Sequence, residues 1–182
     1  ERYLVFFDEV EYAEPKWEME KFFDEEIHAK IYYLYNENRI KNIIQNKVTF
    51  SKETATMLIK SNPFAKGGFN LAYYCKAIPQ ISNKYYNMVL KRPVGHFDKA
   101  YYFSALKKNT MAITFSNQFN KLLGLSKIPA NERIYFTRVL VAKYAKKYYM
   151  LEAFIEGELE KYTNNFTFVN EKVPLMSAFS HF

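Results

Sequence analysis

The sequence predicts an α+β domain with a mostly antiparallel sheet. Short apolar and aromatic segments broken by turn residues lie at residues 48–91 and again at 134–154. Two longer stretches, residues 19–34 and 99–123, repeat apolar residues at helical spacing. The order is helix, strands, helix, strands, with no internal repeat and no low-complexity tract.

Residues 1–14 are short and mixed, and Val5, Phe6 and Phe7 are compatible with a strand. Pro15 suits a first helical turn. Met19, Phe22, Phe23, Ile27, Ile31 and Leu34 then recur at helical spacing with charged residues between them, which predicts one amphipathic helix. A second helical piece carries Ile40, Ile43 and Ile44. His28 beside the stripe reads as a packed or surface histidine, because no partner cysteine or histidine stands at metal spacing.

The texture changes near Lys47, where Val48, Phe50 and a threonine-rich stretch favour extended chain. Residues 64–78, broken by Gly67 and Gly68, read as two strands joined through a glycine turn. Residues 85–91 are a further strand, stopped by Pro93. Asp98 caps a long helix with Ala105, Ala112, Phe115, Phe119 and Leu122 on one face, and Gly124 ends it. Residues 134–144 and 147–154 form a hairpin across Ala145 and Lys146. Gly157 opens a polar loop, residues 162–170 are irregular, and an apolar helix or turn starts at Pro174.

A chain of 182 residues holds one domain, or a domain with an extension. No apolar run reaches the roughly 20 residues of a membrane helix. Cys75 is the single cysteine, so an intrachain disulfide and an all-cysteine zinc site are excluded, and a reducing, cytoplasmic setting is expected. The chain opens Glu1-Arg2-Tyr3, with no methionine and no secretory leader, as an excerpt of something longer would. The net charge of +7 and 33 Phe and Tyr residues (17 and 16) invite a nucleic-acid reading, since cations meet phosphates and rings stack on bases. The basic residues are not concentrated in one stretch, so an ordinary solvated surface is the simpler account.

Glycine is scarce, and two of the five are the adjacent Gly67 and Gly68. Such a pair lets backbone N–H groups approach an anion, although a plain hairpin turn is the commoner reason for one. Lys91 ends the apolar run Met88-Val89-Leu90. It can aim a compact point charge at a phosphate, or simply snorkel from a strand end. The run from Tyr149 to Gly157 is an apolar strand entering an acidic, glycine-ended segment, as a connector between two lobes would be.

These features in this order resemble the alpha-kinase catalytic domain, the atypical protein kinase family that includes the myosin heavy chain kinases. Pro63-Phe64-Ala65-Lys66-Gly67-Gly68-Phe69-Asn70-Leu71-Ala72 looks like its start, and Val89-Leu90-Lys91 its nucleotide lysine strand. Residues 112–120, ending Phe119-Asn120, resemble its N-lobe helix. Glu152 through Lys161-Tyr162-Thr163-Asn164-Asn165 is similar to its E-x-x-x-x-G…K-Y-N-x-N stretch, and Ser177-Ala178-Phe179-Ser180-His181-Phe182 to its A-F-S-H motif.

The resemblance implies a two-lobed kinase-like fold: an N-terminal helical extension (1–46), an N-lobe with an antiparallel sheet and one long helix (47–151), and a connector with the start of an incomplete C-lobe (152–182). It implies an ATP- and magnesium-dependent serine/threonine kinase acting on a protein substrate, with no membrane partner. By position, Gly67, Gly68, Phe69 and Asn70 would meet the ATP phosphates, Lys91 would hold them, and Glu152, Ala153, Phe154 and Ile155 would contact adenine. Lys161 and Asn165 would reach the catalytic cleft, and His181 would be one ligand of the family's structural zinc.

There are departures. Asn70 stands where the family usually has a nucleotide-touching arginine, so a weaker phosphate grip is expected. The long helix contains no Asp or Glu and cannot supply a lysine–glutamate pair of the ordinary kinase kind. The family's later Asp-x-Gln-Gly motif, glycine-rich substrate loop and remaining zinc ligands are not in the sequence, so an inactive excerpt without zinc is expected, with Phe179 and Phe182 lacking packing partners. A nucleotide-binding pseudokinase or interaction module, and a basic aromatic nucleic-acid-binding domain, are the alternative readings.

Overall fold

The computed structural model describes residues 17–18, 20–34, 40–80, 84–125, 127–129, 133–157 and 174–180. Seven strands form one antiparallel sheet: β1 (Glu25–Tyr33), β2 (Ser51–Ile59), β3 (Ala65–Lys66), β4 (Asn70–Pro79), β5 (Tyr86–Pro93), β6 (Leu140–Tyr144) and β7 (Lys147–Ala153). The order is β2-β1-β6-β7-β5-β4-β3, and β2 also pairs with β4. That extra pairing, Ala55↔Pro79 through Ile59↔Cys75, closes six of the strands into a ring. Strand β3 lies on the same edge of β4, further along, with Ala65 opposite Ala72.

Alternation fills the ring. Met57, Cys75 and Leu151 point inward and are fully buried, with Ala29, Ala55, Ala77 and Ala142 between the larger side chains. Small residues beside large ones are what a narrow barrel interior accommodates. Burial raises the Cys75 thiol far above its ordinary value, so it is an inert core group.

Residues 25–33 are a strand, not the second half of a helix. Among the described residues before it is a single 3₁₀ turn, Glu20–Phe22. The helical reading rested on Ile27 and Ile31, but a spacing of four is also two strand periods. Ala29 between them is buried while Glu26, His28 and Lys30 are exposed, which is the period of two. Pairing decides the matter: β1 is hydrogen-bonded to β2 along its whole length and to β6 on its other edge. Residues 25–33 therefore contribute a strand to the sheet where a helical extension was expected. His28 Nδ1 lies 3.1 Å from Thr56 Oγ1 across that pair. The short helix α1 (Ile40–Ile44) forms where its isoleucines predict it.

The long helix α2 (Lys99–Leu125) begins as expected, with Tyr101 N–H donating to Asp98 Oδ1 at 3.0 Å. Its first half lays Tyr102, Phe103 and Leu106 on the outer barrel face, against Val141 and Met150. The predicted apolar face is turned. Phe115 is 38% and Leu122 51% exposed, while Thr110, Ser116 and Asn120 are buried. These polar residues are satisfied locally: Thr110 and Ser116 hydroxyls donate to the carbonyls of Leu106 and Ile113.

Asn109 and Asn120 lie eleven residues apart, close to three helical turns, and so share a face. Asn109 donates to Thr137 O and accepts from Val139 N–H; Asn120 donates to Ile134 O and accepts from Ile134 N–H. Residues 134–139 are thus held along the helix, and strand β6 starts only at Leu140, later than predicted. Nor does Gly124 end the helix. Lys127, at φ 60°, takes the left-handed position, and the amides of Lys127 and Ile128 donate to Gly124 O and Leu123 O, a Schellman end.

Helix α3 (Pro174–Ser180) packs on the far half of α2. The Phe179 ring sits 5.3 Å from Phe119 and 5.8 Å from Phe136, so it has the packing partners that sequence denied it. Phe182 lies outside the described residues.

Candidate functional site

Two antiparallel registers collect the site on the barrel's outer face. Ala72 pairs with Lys91 and Tyr74 with Val89 across β4–β5. Val89 pairs with Glu152 and Lys91 with Met150 across β5–β7. Residues two apart share a face, so Asn70, Ala72, Tyr74, Val89, Lys91 and Glu152 all point outward from the barrel.

On that face Lys91 Nζ lies 2.8 Å from Glu152 Oε2. The two side chains are only 13% and 15% exposed, so each ion depends on the other for compensation. The lysine neither points into bulk solvent nor merely snorkels. Its acidic partner comes from β7, not from the long helix. The Glu152 carboxylate is the partner of Lys91.

Above the lysine is the β3–β4 turn. Gly67 N–H donates to Asn70 O at 2.8 Å, which closes the turn and removes that group from the donors expected to face phosphate. The Gly68 and Phe69 N–H groups have no partner among the described residues. A Cβ at Gly68 would meet nothing within 4 Å, so that glycine borders open space. Phe69 is 74% exposed at the tip. Asn70 Oδ1 is buried and has no hydrogen-bond partner among the described residues, the kind of acceptor that a ligand's donor would satisfy.

Beside the ion pair is an apolar floor of Ala65, Ala72 and Val89, flanked by Phe64 and Phe154. These residues are buried beneath rings that pack on one another: Tyr74 stacks on Phe64 at 3.9 Å and lies 5.8 Å from Phe154. The connector starts beyond Phe154. Phe154 N–H donates to Asn87 O at 2.9 Å, so sheet pairing runs one residue past β7, and the backbone leaves the sheet at Ile155. Gly157, at φ 117°, takes a conformation that other residues avoid.

The structure puts Lys91 in contact with Glu152, with Gly67, Gly68, Phe69 and Asn70 in the turn and strand start of the neighbouring β4 and Ala153, Phe154 and Ile155 at the end of β7. Lys161, Asn165 and His181 lie outside the described residues. Sequence reading missed Glu152 as the lysine's partner; parity along paired strands was the signal. Among the described residues no cluster of three or more His, Cys, Asp or Glu could hold a metal ion. No helix among them is long and apolar enough to cross a membrane.

Residues 65–182 match the alpha-kinase family. The chain is 33% identical over 138 residues to alpha-protein kinase vwkA of Dictyostelium discoideum, covering 70% of this chain and 21% of that protein. It is 30% identical over 137 residues to alpha-protein kinase 1 of the same organism, covering 71% of this chain and 10% of that protein. It thus spans about a fifth and a tenth of the length of these relatives. An alpha kinase from Entamoeba histolytica superposes with a TM-score of 0.70 at 19% identity, over 87% of this chain and 66% of that one. The alpha-kinase domain of myosin heavy chain kinase A, in complex with ATP, superposes at 0.67 with 17% identity, over 85% of this chain and 72% of that one. At these identities the structural likeness speaks for the fold.

Proposed function

The chain belongs to the alpha-kinase family, and on that premise we propose that it supplies the nucleotide-binding half of an ATP-dependent protein kinase. The reaction is transfer of the γ-phosphate to a serine or threonine hydroxyl of a protein substrate. The observation that carries this reading is the Lys91–Glu152 pair at 2.8 Å, with Lys91 on the strand beside the one that leaves the glycine turn. A lysine pinned by a carboxylate has lost most of its rotamer freedom before ligand arrives, so less entropy is spent when its ammonium meets phosphate.

Each part then has one task. The Gly68 and Phe69 N–H groups offer donors to phosphate oxygens without a Cβ in the way. The backbone of residues 153–155 lies where it can meet the edge of the base. Asn70 offers a neutral acceptor in place of a cation. Lys161 and Asn165 are assigned to the cleft by resemblance, and His181 to the zinc position. The described residues do not fit a resident metal; magnesium would come with the nucleotide.

Calorimetric titration of ATP into the chain and its Lys91→Ala variant tests the reading. Loss of one hydrogen-bonded charge predicts roughly thirtyfold weaker binding. Unchanged affinity in the variant, or no binding by the parent chain, overturns it.

A further inference from the structure

We infer that the outer face of β6, β1 and β2, together with the start of α2, docks an acidic segment of polypeptide. This surface does not include Lys91 and does not depend on the nucleotide reading above. Lys30 on β1 stands directly opposite Lys143 on β6, and both point outward, since Ala29, Ile31 and Ala142 face the interior. Like charges directly opposite one another destabilise a sheet. Neither ammonium has a carboxylate partner among the described residues. A carboxylate lying between the two would turn that repulsion into two attractions. Thr54, opposite Lys30 on β2, adds a hydroxyl donor beside it.

Three more lysines border the same patch. Its centre is the Phe103 ring, with Phe50 at 4.7 Å, Tyr32 at 5.3 Å and Tyr148 at 6.1 Å. The ammonium of Lys99 lies over Phe103 at 5.2 Å, that of Lys143 over Tyr148 at 5.6 Å and that of Lys107 over Phe50 at 6.0 Å. Lys107 Nζ also donates to Asn46 Oδ1. Exposed Lys52 stands opposite Tyr32. Carboxylates are kept away from these cations. Helix α2 contains none, Glu53 is opposite Ile31 on the inward side, and Asp98 is taken by the Tyr101 N–H. Glu26 is outward on β1 but two outward positions from Lys30.

The charge asks for an anionic partner, and the rings decide its kind. Phe103 is buried, and lysines already occupy a face of Phe103, Tyr148 and Phe50, so the patch is a poor platform for stacking bases. None of the four rings stands among the exposed large apolar side chains, so none is placed to insert into a bilayer. Carboxylates on an acidic chain need neither stacking nor insertion; they meet ammoniums as point charges.

The test uses a fluorescent oligoglutamate peptide, an oligothymidylate of the same charge and phosphatidylserine vesicles. Each is titrated into the full chain, into the double variant Lys30→Gln, Lys143→Gln, and into a control, Lys84→Gln, Lys121→Gln, that removes the same charge elsewhere. Oligoglutamate should bind the full chain at low salt and weaken as salt rises. Its affinity should fall roughly fivefold to tenfold in the double variant and less than about twofold in the control. No binding of oligoglutamate by the full chain overturns the inference. Equal loss in both variants also overturns it, because net charge alone is then at work. Tighter binding of oligothymidylate or of vesicles through Lys30 and Lys143 overturns it in favour of a nucleic acid or a membrane. Should the double variant fail to fold, Lys52→Gln, Lys99→Gln is read by the same titrations and the same outcomes.

Discussion

Leu90 and Leu151 face each other inside the barrel, while their immediate neighbours Lys91 and Glu152 pair on its outside. The two regions are one wall, and a single residue step separates them. Inside, side chains are held by packing and carry no charge. Outside, two ions are held by each other and by the spacing of strands that the interior keeps rigid. The contrast teaches that the closed ring fixes the separation of the site's two charges, because β5 and β7 cannot slide without breaking the interior.

The sharpest way to break that relation is from within. Met57→Ala empties a fully buried position inside the ring, on β2. It should lower stability by about 2–5 kcal/mol in urea unfolding. ATP affinity of the folded protein should stay as it was; a parallel loss would show that interior and site are not separable.

From the outside, Glu152→Gln keeps the shape and removes the charge. It should weaken ATP binding by roughly tenfold and cost about 1.5–3 kcal/mol of stability, the worth of a hydrogen bond to a charged group. Unchanged affinity would mean that Lys91 needs no partner to be positioned.

The β6–β7 hairpin sharpens the comparison in the other direction. Ala145 and Lys146 both have positive φ, 45° and 67°, as a primed hairpin turn requires. The double change Ala145→Asn, Lys146→Gly should raise stability by about 1 kcal/mol, relieving left-handed backbone at non-glycine residues. Chemical denaturation should register the gain and ATP titration should not change.

The smallest effect belongs to Asp24. Hydrogen bonds from the Ser61 backbone and hydroxyl, and from Lys60, hold its carboxyl below the usual value of 3.8. Its contribution is present above the unfolded value and is lost as pH falls through the lower folded one. Asp24→Asn should therefore lower the urea midpoint slightly at pH 7, with the difference closing as pH falls below 3.8. A difference that persists in acid would assign the effect to something other than the charge.

Several elements were legible one segment at a time. Strands β2 to β5 and β7, the capped start of α2 and the turn at Gly67 and Gly68 each carry a local signal: β-branched residues, an Asx cap, scarce glycines. Lys91 and the connector were legible as candidates because motif order placed them in the chain. Strand β1 was not, because Ile27 and Ile31 satisfy both periods until β2 and β6 claim the backbone. The buried face of α2 was not, because Asn120 and Thr110 look like surface residues until their hydrogen bonds are seen.

By itself the sequence determined the mixture of strands and helices, the family resemblance and the lysine at its centre. Only the tertiary structure decided that the sheet closes on itself, that Glu152 is the lysine's partner across 61 residues, and that Trp17 reaches the connector. The physical reason is range: propensity and periodicity act over a few residues, whereas strand closure and the partner of a buried charge depend on chain brought from far away.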